Sequence, residues 1–242
     1  MARIVRAPVL DLERGERTLV AEVSHYLCRV LRLKNGDSFI AFDPVASMEA
    51  EAVIVEASES EAVVRIETPY RAPVVATTPL VLVYALAKGD KVETVVRDAT
   101  ELGATNVIIA TTERCVVKVK PNDGKIDRWR RVAEQAARQC KRADPPAIAG
   151  PFPWTEALDR ARPCEARFCL DPKAPDPLGP ALRAALGKSI AFAIGPEGGL
   201  TDAELDEACA RGFARVALGR IILRTETVAA AVLGAVRILA EP

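Results

Sequence analysis

Apolar and polar positions follow two different rhythms along this chain. In the first seventy residues apolar and acidic side chains exchange every second position over 37–42, 49–57 and 62–67. That is the period of antiparallel strands with one buried face. A short helical segment over 19–33 leads to Lys34-Asn35-Gly36-Asp37, a turn signal. Together these predict a small β-barrel. Three prolines between residues 69 and 79 end the alternation and mark a linker.

From residue 80 the pattern changes to apolar runs alternating with helical periods. The runs at 80–86 and 106–110 predict buried strands, with a helix over 91–102 closed by Gly103 between them. A helix over 125–141 precedes Pro145-Pro146, and short strands are predicted at 167–170 and 189–194. The second of these empties into Gly195-Pro196-Glu197-Gly198-Gly199, after which Thr201 and Glu204 have the spacing of a capping box. Gly212 ends that helix. A last strand is predicted at 214–218, then a loop at 219–224, and Thr225 is expected to cap a final apolar helix to residue 240. Strands alternating with helices define an α/β domain.

Composition narrows the class. Of 242 residues half are hydrophobic and 27% are charged, which excludes a disordered or fibrous chain. The N-terminal segment has no apolar run suited to a signal peptide, and the longest uncharged apolar stretch, 228–236, is half of the ~18 residues a membrane span needs. A cytoplasmic protein without membrane association is expected. Six cysteines form no C-x-x-C pair and the single histidine, His25, completes no zinc set with them, so no metal is expected.

The 33 basic and 33 acidic residues cancel, yet the cancellation is not local. Residues 113–142 hold ten basic side chains against four acidic, whereas 35–67 hold eight acids and one base, Arg65. Such segregation is what phosphate binding by one face requires. Trp129, inside the basic segment, either stacks on a base or anchors its helix. His25, Arg29, Arg32 and Lys34 space basic groups along the N-terminal helical segment, where arginine and lysine can make phosphate contacts that position a substrate. A packed or phosphate-contacting His25 fits better than a catalytic base, for which no partner is evident.

Two strand-to-helix loops carry the candidate chemistry. A buried strand opening into glycines at the carboxyl edge of a sheet is where α/β proteins bind ligands. The spacing matches neither common phosphate-binding glycine motif, and a tight turn alone would account for the glycines but not for Glu197 among them. The second loop, Leu218-Gly219-Arg220-Ile221-Ile222-Leu223-Arg224-Thr225-Glu226-Thr227, sets apolar residues between two arginines. That suits an apolar ring pocket beside a guanidinium, although Arg224 and Glu226 could also form a surface pair. No G-x-S-x-G or H-E-x-x-H motif supports a hydrolase.

These loops, with His25 to Arg32, Gly36-Asp37, Lys88-Gly89-Asp90-Lys91, Thr100-Glu101-Leu102-Gly103, Arg128-Trp129 and Gln139-Cys140-Lys141-Arg142, resemble in order the bacterial 16S ribosomal RNA uridine-N3 methyltransferase family. The resemblance spans nearly the whole chain. It implies an N-terminal PUA-like β-barrel over 1–72, a linker over 73–79, and a SPOUT methyltransferase domain with a deep trefoil knot over 80–242. It further implies S-adenosylmethionine as cofactor, a homodimer, and 16S ribosomal RNA in the small ribosomal subunit as partner. Val228 stands where the family usually has alanine, Gln135 and Arg138 where glutamates are common, and Ala104 where valine is common.

By the same resemblance Leu170, Ile194, Gly195, Pro196, Glu197, Gly198, Leu218, Gly219, Ile222, Leu223 and Thr225 hold the cofactor. Arg142 and Arg224 steady the uracil oxygens or a flanking phosphate, and Glu197 is a base or an orienter. His25, Arg29, Arg32, Lys34, Lys88, Arg128, Arg131 and Arg138 contact RNA. The alternatives are a SPOUT enzyme acting on transfer RNA or a ribose 2′-OH, and a non-catalytic RNA-binding assembly protein.

Overall fold

The structure is a computed structural model that describes residues 5–58, 61–76, 78–116 and 124–240. Glu59, Lys118, Lys120 and Asp123, counted in the charge pattern above, lie outside them. The chain divides into two compact units, one built from residues up to Val75 with Ala137–Pro145, the other from Ala76–Ala136 and the chain beyond Pro146.

The first unit is a six-stranded sheet of β1 (Arg6–Pro8), β2 (Gly15–Thr18), β3 (Ser38–Asp43), β4 (Met48–Ala57), β5 (Ala62–Ile66) and β6 (Tyr70–Arg71). Pairing runs β1-β3-β4-β5-β2, with β6 on β4. The period-two pattern is the cause: Ala50, Ala52 and Ile54 of β4 and Val64 and Ile66 of β5 all turn inward. Helix α1 (Ala21–His25) and a π-helical turn (Tyr26–Val30) add Val23 and Leu27 to the same core. Strands β1 and β2 escape the apolar pattern because one is three residues with a proline and the other is polar and mostly exposed; both sit at the ends of the pairing order, where a missing amide or side chain is tolerated.

Residues 137–145, expected in the second domain, pack with the first unit. Ala143 is fully buried beside Phe42 and Ala72, its amide donates to the Val74 carbonyl at 3.2 Å, and Arg138 lies over the Tyr26 ring at 5.1 Å. A contiguous boundary could not be read from composition because only this tertiary contact assigns the segment.

The second unit is an all-parallel sheet in the order β12-β10-β11-β7-β8-β9, with β7 (Leu80–Ala85), β8 (Asn106–Thr111), β9 (Ala147–Pro153), β10 (Ala166–Leu170), β11 (Ile190–Ile194) and β12 (Ala214–Val216). Strands β7 and β11 are buried throughout, as continuous apolar runs demand. Leu80, Leu82 and Tyr84 face one core shared with α2 (Lys91–Glu101), α3 (Lys125–Cys140), α5 (Leu178–Ala185) and α7 (Thr225–Ala240). Val81 and Val83 face the other, with α4 (Trp154–Ala161) and α6 (Asp202–Ala210).

Strand β9 and helices α4 and α5 have no counterpart in the sequence expectations. Prolines at 145, 146, 151 and 153 argue against a strand, but β9 is an edge, where proline is allowed. Pro180 falls in the first turn of α5, which needs no amide donor there. The last strand is three residues rather than the expected five; beyond it Ala217 makes only an isolated bridge to Pro177.

Candidate active site

Parallel pairing sets the register of the site. Leu170 is aligned with both Ile194 and Val216, so β10, β11 and β12 end together and their following loops emerge on one edge. Those loops enclose a cavity of about 650 Å³, lined among others by Leu170, Asp171, Ile194, Glu197, Leu223 and Val228. Its size and its mainly apolar wall with a few convergent charges are those of a small-molecule site.

The glycine loop is held from several sides. The Gly199 amide donates to the Pro196 carbonyl at 2.8 Å, and Gly199 has φ +73°, a conformation that favours glycine. The capping box forms as expected: the Glu204 amide donates to Thr201 Oγ1 at 3.3 Å and the Thr201 amide to Glu204 Oε2 at 2.9 Å. The second carboxylate oxygen of Glu204 also accepts the Glu113 amide at 2.8 Å. Arg114 Nη1 then donates to the carbonyls of Gly198 and Leu200 at 3.0 and 3.2 Å. Two consecutive residues after β8 therefore clamp this loop.

Electrostatics concentrate around Lys91. Its Nζ lies 3.0 Å from Glu197 Oε1 and 3.3 Å from Glu226 Oε2. Burial pushes the Glu197 carboxyl up, but the amides of Glu197 and Lys88 and the Lys91 ammonium outweigh it and hold the group below the usual carboxylate range. Glu226 behaves alike: burial is outweighed by its own amide, Lys91 and Thr225. Thr225 begins α7 but its hydroxyl is not a cap: it is engaged by Tyr84 Oη at 2.9 Å and donates to Glu226 Oε2 at 3.2 Å. On the other wall Asp171 is nearly buried, accepts the Lys173 amide at 3.0 Å and pairs with Arg215 Nε.

Every residue expected at the cofactor, from Leu170 through Ile194, Gly195, Pro196, Glu197 and Gly198 to Leu218, Gly219, Ile222, Leu223 and Thr225, lines this cavity, as does Arg224. Arg224 and Glu226 do not form the surface pair, since Glu226 is taken by Lys91. Arg142 belongs to the first unit, where it is buried with Nη2 at 2.8 Å from the Asp144 carbonyl and 3.1 Å from its carboxylate.

Of the expected RNA contacts, His25, Arg29, Arg32 and Lys34 are exposed in the first unit, with Arg29 and Lys34 on one shallow depression. Arg138 is half-buried on Tyr26. In the second unit Lys88, Arg128 and Arg131 are exposed, Arg128 being paired with Glu93 at 2.8 Å. Trp129 is buried in the core, which settles its role as an anchor.

Lys91, Arg114, Asp171 and Arg215 escaped sequence reasoning. Lys91 shares a motif with Lys88, and nothing local distinguishes the lysine that reaches the cavity. For Asp171 and Arg215 no local signal exists, because they meet only through the pairing of β10 with β12.

Comparison with known proteins fits this site. Residues 75–237 match the RNA methyltransferase domain, and residues 21–67 match the RNA methyltransferase PUA domain. Ribosomal RNA small subunit methyltransferase E of Synechocystis sp. is 34% identical over 99% of this chain and 78% of the relative. The Mycobacterium bovis protein of that name is 32% identical over 87% of this chain and 81% of its own. A Legionella pneumophila methyltransferase solved with bound SAM superposes with a TM-score of 0.89, at 26% identity over 98% of both chains. The fold is thus that of a SPOUT-type RNA methyltransferase with a PUA-like domain. The chain belongs to the ribosomal RNA small subunit methyltransferase E family.

Proposed function

We propose that this protein transfers the methyl group of S-adenosylmethionine to N3 of a uridine in 16S ribosomal RNA. The observation that carries this is the convergence of both family-specific loops on one cavity, in a chain related over nearly its full length to small-subunit ribosomal RNA methyltransferases. The lining fits the cofactor by its donor set. Leu170, Ile194, Leu223 and Val228 offer an apolar slot, and Asp171 and Glu197 offer acceptors. Lys173, Arg215 and Arg224 offer donors for a carboxylate. S-adenosylmethionine supplies an electrophilic methyl on a positively charged sulfur.

The chain's own residues must then bind uracil, favour loss of its imide proton and hold the resulting charge. Arg224, exposed at the cavity, is placed to donate to the uracil oxygens as negative charge develops on them. Glu197, tied down as an anion by Lys91, is a weak proton acceptor and acts as an orienter rather than the base. Arg142, committed to Asp144, takes no part in this scheme within the single chain. Exposed Ile221 and Ile222 on the second loop and Ile238 and Leu239 on α7 leave apolar surface that supports a homodimer.

N3 lies on the Watson–Crick edge, so the target base must be unpaired or extruded. The assembled small subunit, in the cytoplasm, is the substrate most consistent with that need. The test maps the methylated nucleoside after incubation with labelled S-adenosylmethionine, on free 16S RNA and on the assembled subunit. 3-Methyluridine is the expected product. A 2′-O-methylated nucleoside, methylated transfer RNA, or no transfer at all would overturn the assignment.

A further inference from the structure

One polar chain runs from Tyr84 through Thr225 and Glu226 to Lys91 and Glu197 and joins four elements, with Thr225, Lys91 and Glu197 lining the cavity. Tyr84 Oη in β7 donates to Thr225 Oγ1, because the single Thr225 hydroxyl proton is directed to the Glu226 carboxylate. Glu226, at the start of α7, faces the Lys91 ammonium, which faces Glu197 on the glycine loop. Among the described residues the two cavity loops share no other side-chain hydrogen bond or ion pair, and Lys91, the residue between them, is on α2 and belongs to neither loop.

We infer that Lys91 is a positioning residue for the cofactor cavity, holding Glu197 and Glu226, and with them the glycine loop and the head of α7, in one arrangement. This rests on the proposed S-adenosylmethionine site. The ion pairs are half-exposed, so they add little to global stability. Their effect is on the geometry of a pocket whose walls are loops, where a displacement of about 1 Å can cost about 100-fold in function. Burial keeps the Tyr84 hydroxyl neutral through the working pH range, so the network titrates only at its carboxylates. The other charged or titratable groups around it are Arg114, which follows β8 and donates to the glycine loop, Arg224 at the cavity and Cys115 near Tyr84.

The sign of the pH dependence follows. Glu197 and Glu226 have lowered affinities for protons, so the tie is present at and above the ordinary carboxylate range and is lost only as pH falls below it. Without Lys91 the two carboxylates lose their shared cation and face one another, so each protonates at higher pH.

The experiment measures S-adenosylmethionine binding by calorimetry from about pH 3, below the ordinary glutamate range of about 4.3, up to neutrality for the full chain, Lys91→Met, Lys91→Arg and Glu226→Gln, with thermal unfolding of each. Lys91→Met is expected to weaken binding at least about tenfold, with a nearly unchanged melting temperature and an acid limb moved to higher pH. Lys91→Arg, which can still bridge two carboxylates, should restore most of the affinity. Glu226→Gln should weaken binding less. Wild-type affinity and an unshifted acid limb in Lys91→Met would overturn the inference. Absence of binding by the unaltered protein would instead overturn the cofactor assignment beneath it, and that outcome is visible before any variant is compared.

Discussion

Gly195→Ala is the sharpest probe of the cavity, because the added methyl has a defined obstacle. A Cβ on Gly195 would lie 2.7 Å from Leu200 Cγ, 3.1 Å from its Cδ2 and 3.3 Å from its amide nitrogen. Reaching ordinary contact at 3.4 Å requires Leu200 to retreat by about 0.7 Å. It has little freedom to do so. Its carbonyl is held by Arg114, and the next residue, Thr201, is fastened in the capping box. The backbone φ of Gly195 is not in the left-handed region, so the whole effect comes from this contact. Overpacking of this kind costs about 1–3 kcal/mol, to be read by urea unfolding. Displacement of a cavity wall by a sizeable fraction of an ångström should cost more in function, about 10- to 100-fold in S-adenosylmethionine affinity by calorimetry. A variant with unchanged stability and unchanged affinity would refute the reasoning, since it would mean that Leu200 moves freely.

Trp129→Ala should lose about 3–5 kcal/mol in urea unfolding because the indole is buried in the core, while Trp129→Leu, which keeps an apolar anchor without an aromatic face, should leave RNA affinity unchanged; a selective loss of RNA binding would restore the stacking role. Affinity for 16S ribosomal RNA should fall steeply with salt, and Lys34→Ala should weaken it across sequences and lower the slope of log affinity against log salt by about one unit. An unaltered slope would remove Lys34 from the RNA contacts.

Strands β3 to β5 of the first unit and the buried strands β7, β8 and β11 were legible because a strand covered on one or both faces leaves a period in its side chains. The glycine loop and its capping box were legible for the same local reason: backbone access and amide satisfaction demand particular residue types at fixed spacings. Edge strands β1, β2 and β9 leave no such mark, since what makes them strands is the neighbour they pair with.

By itself, the amino-acid sequence determined the two rhythms, the two loops and the family motifs, all of which depend on residues close together along the chain. Tertiary structure decided that Lys91 joins Glu197 to Glu226, that Asp171 meets Arg215, and that residues 137–145 leave their sequence neighbours for the first unit. The physical reason is range. Backbone periodicity and capping act over a few residues, whereas an ion pair across a parallel sheet depends on strand order and register, which bring together side chains tens to more than a hundred positions apart.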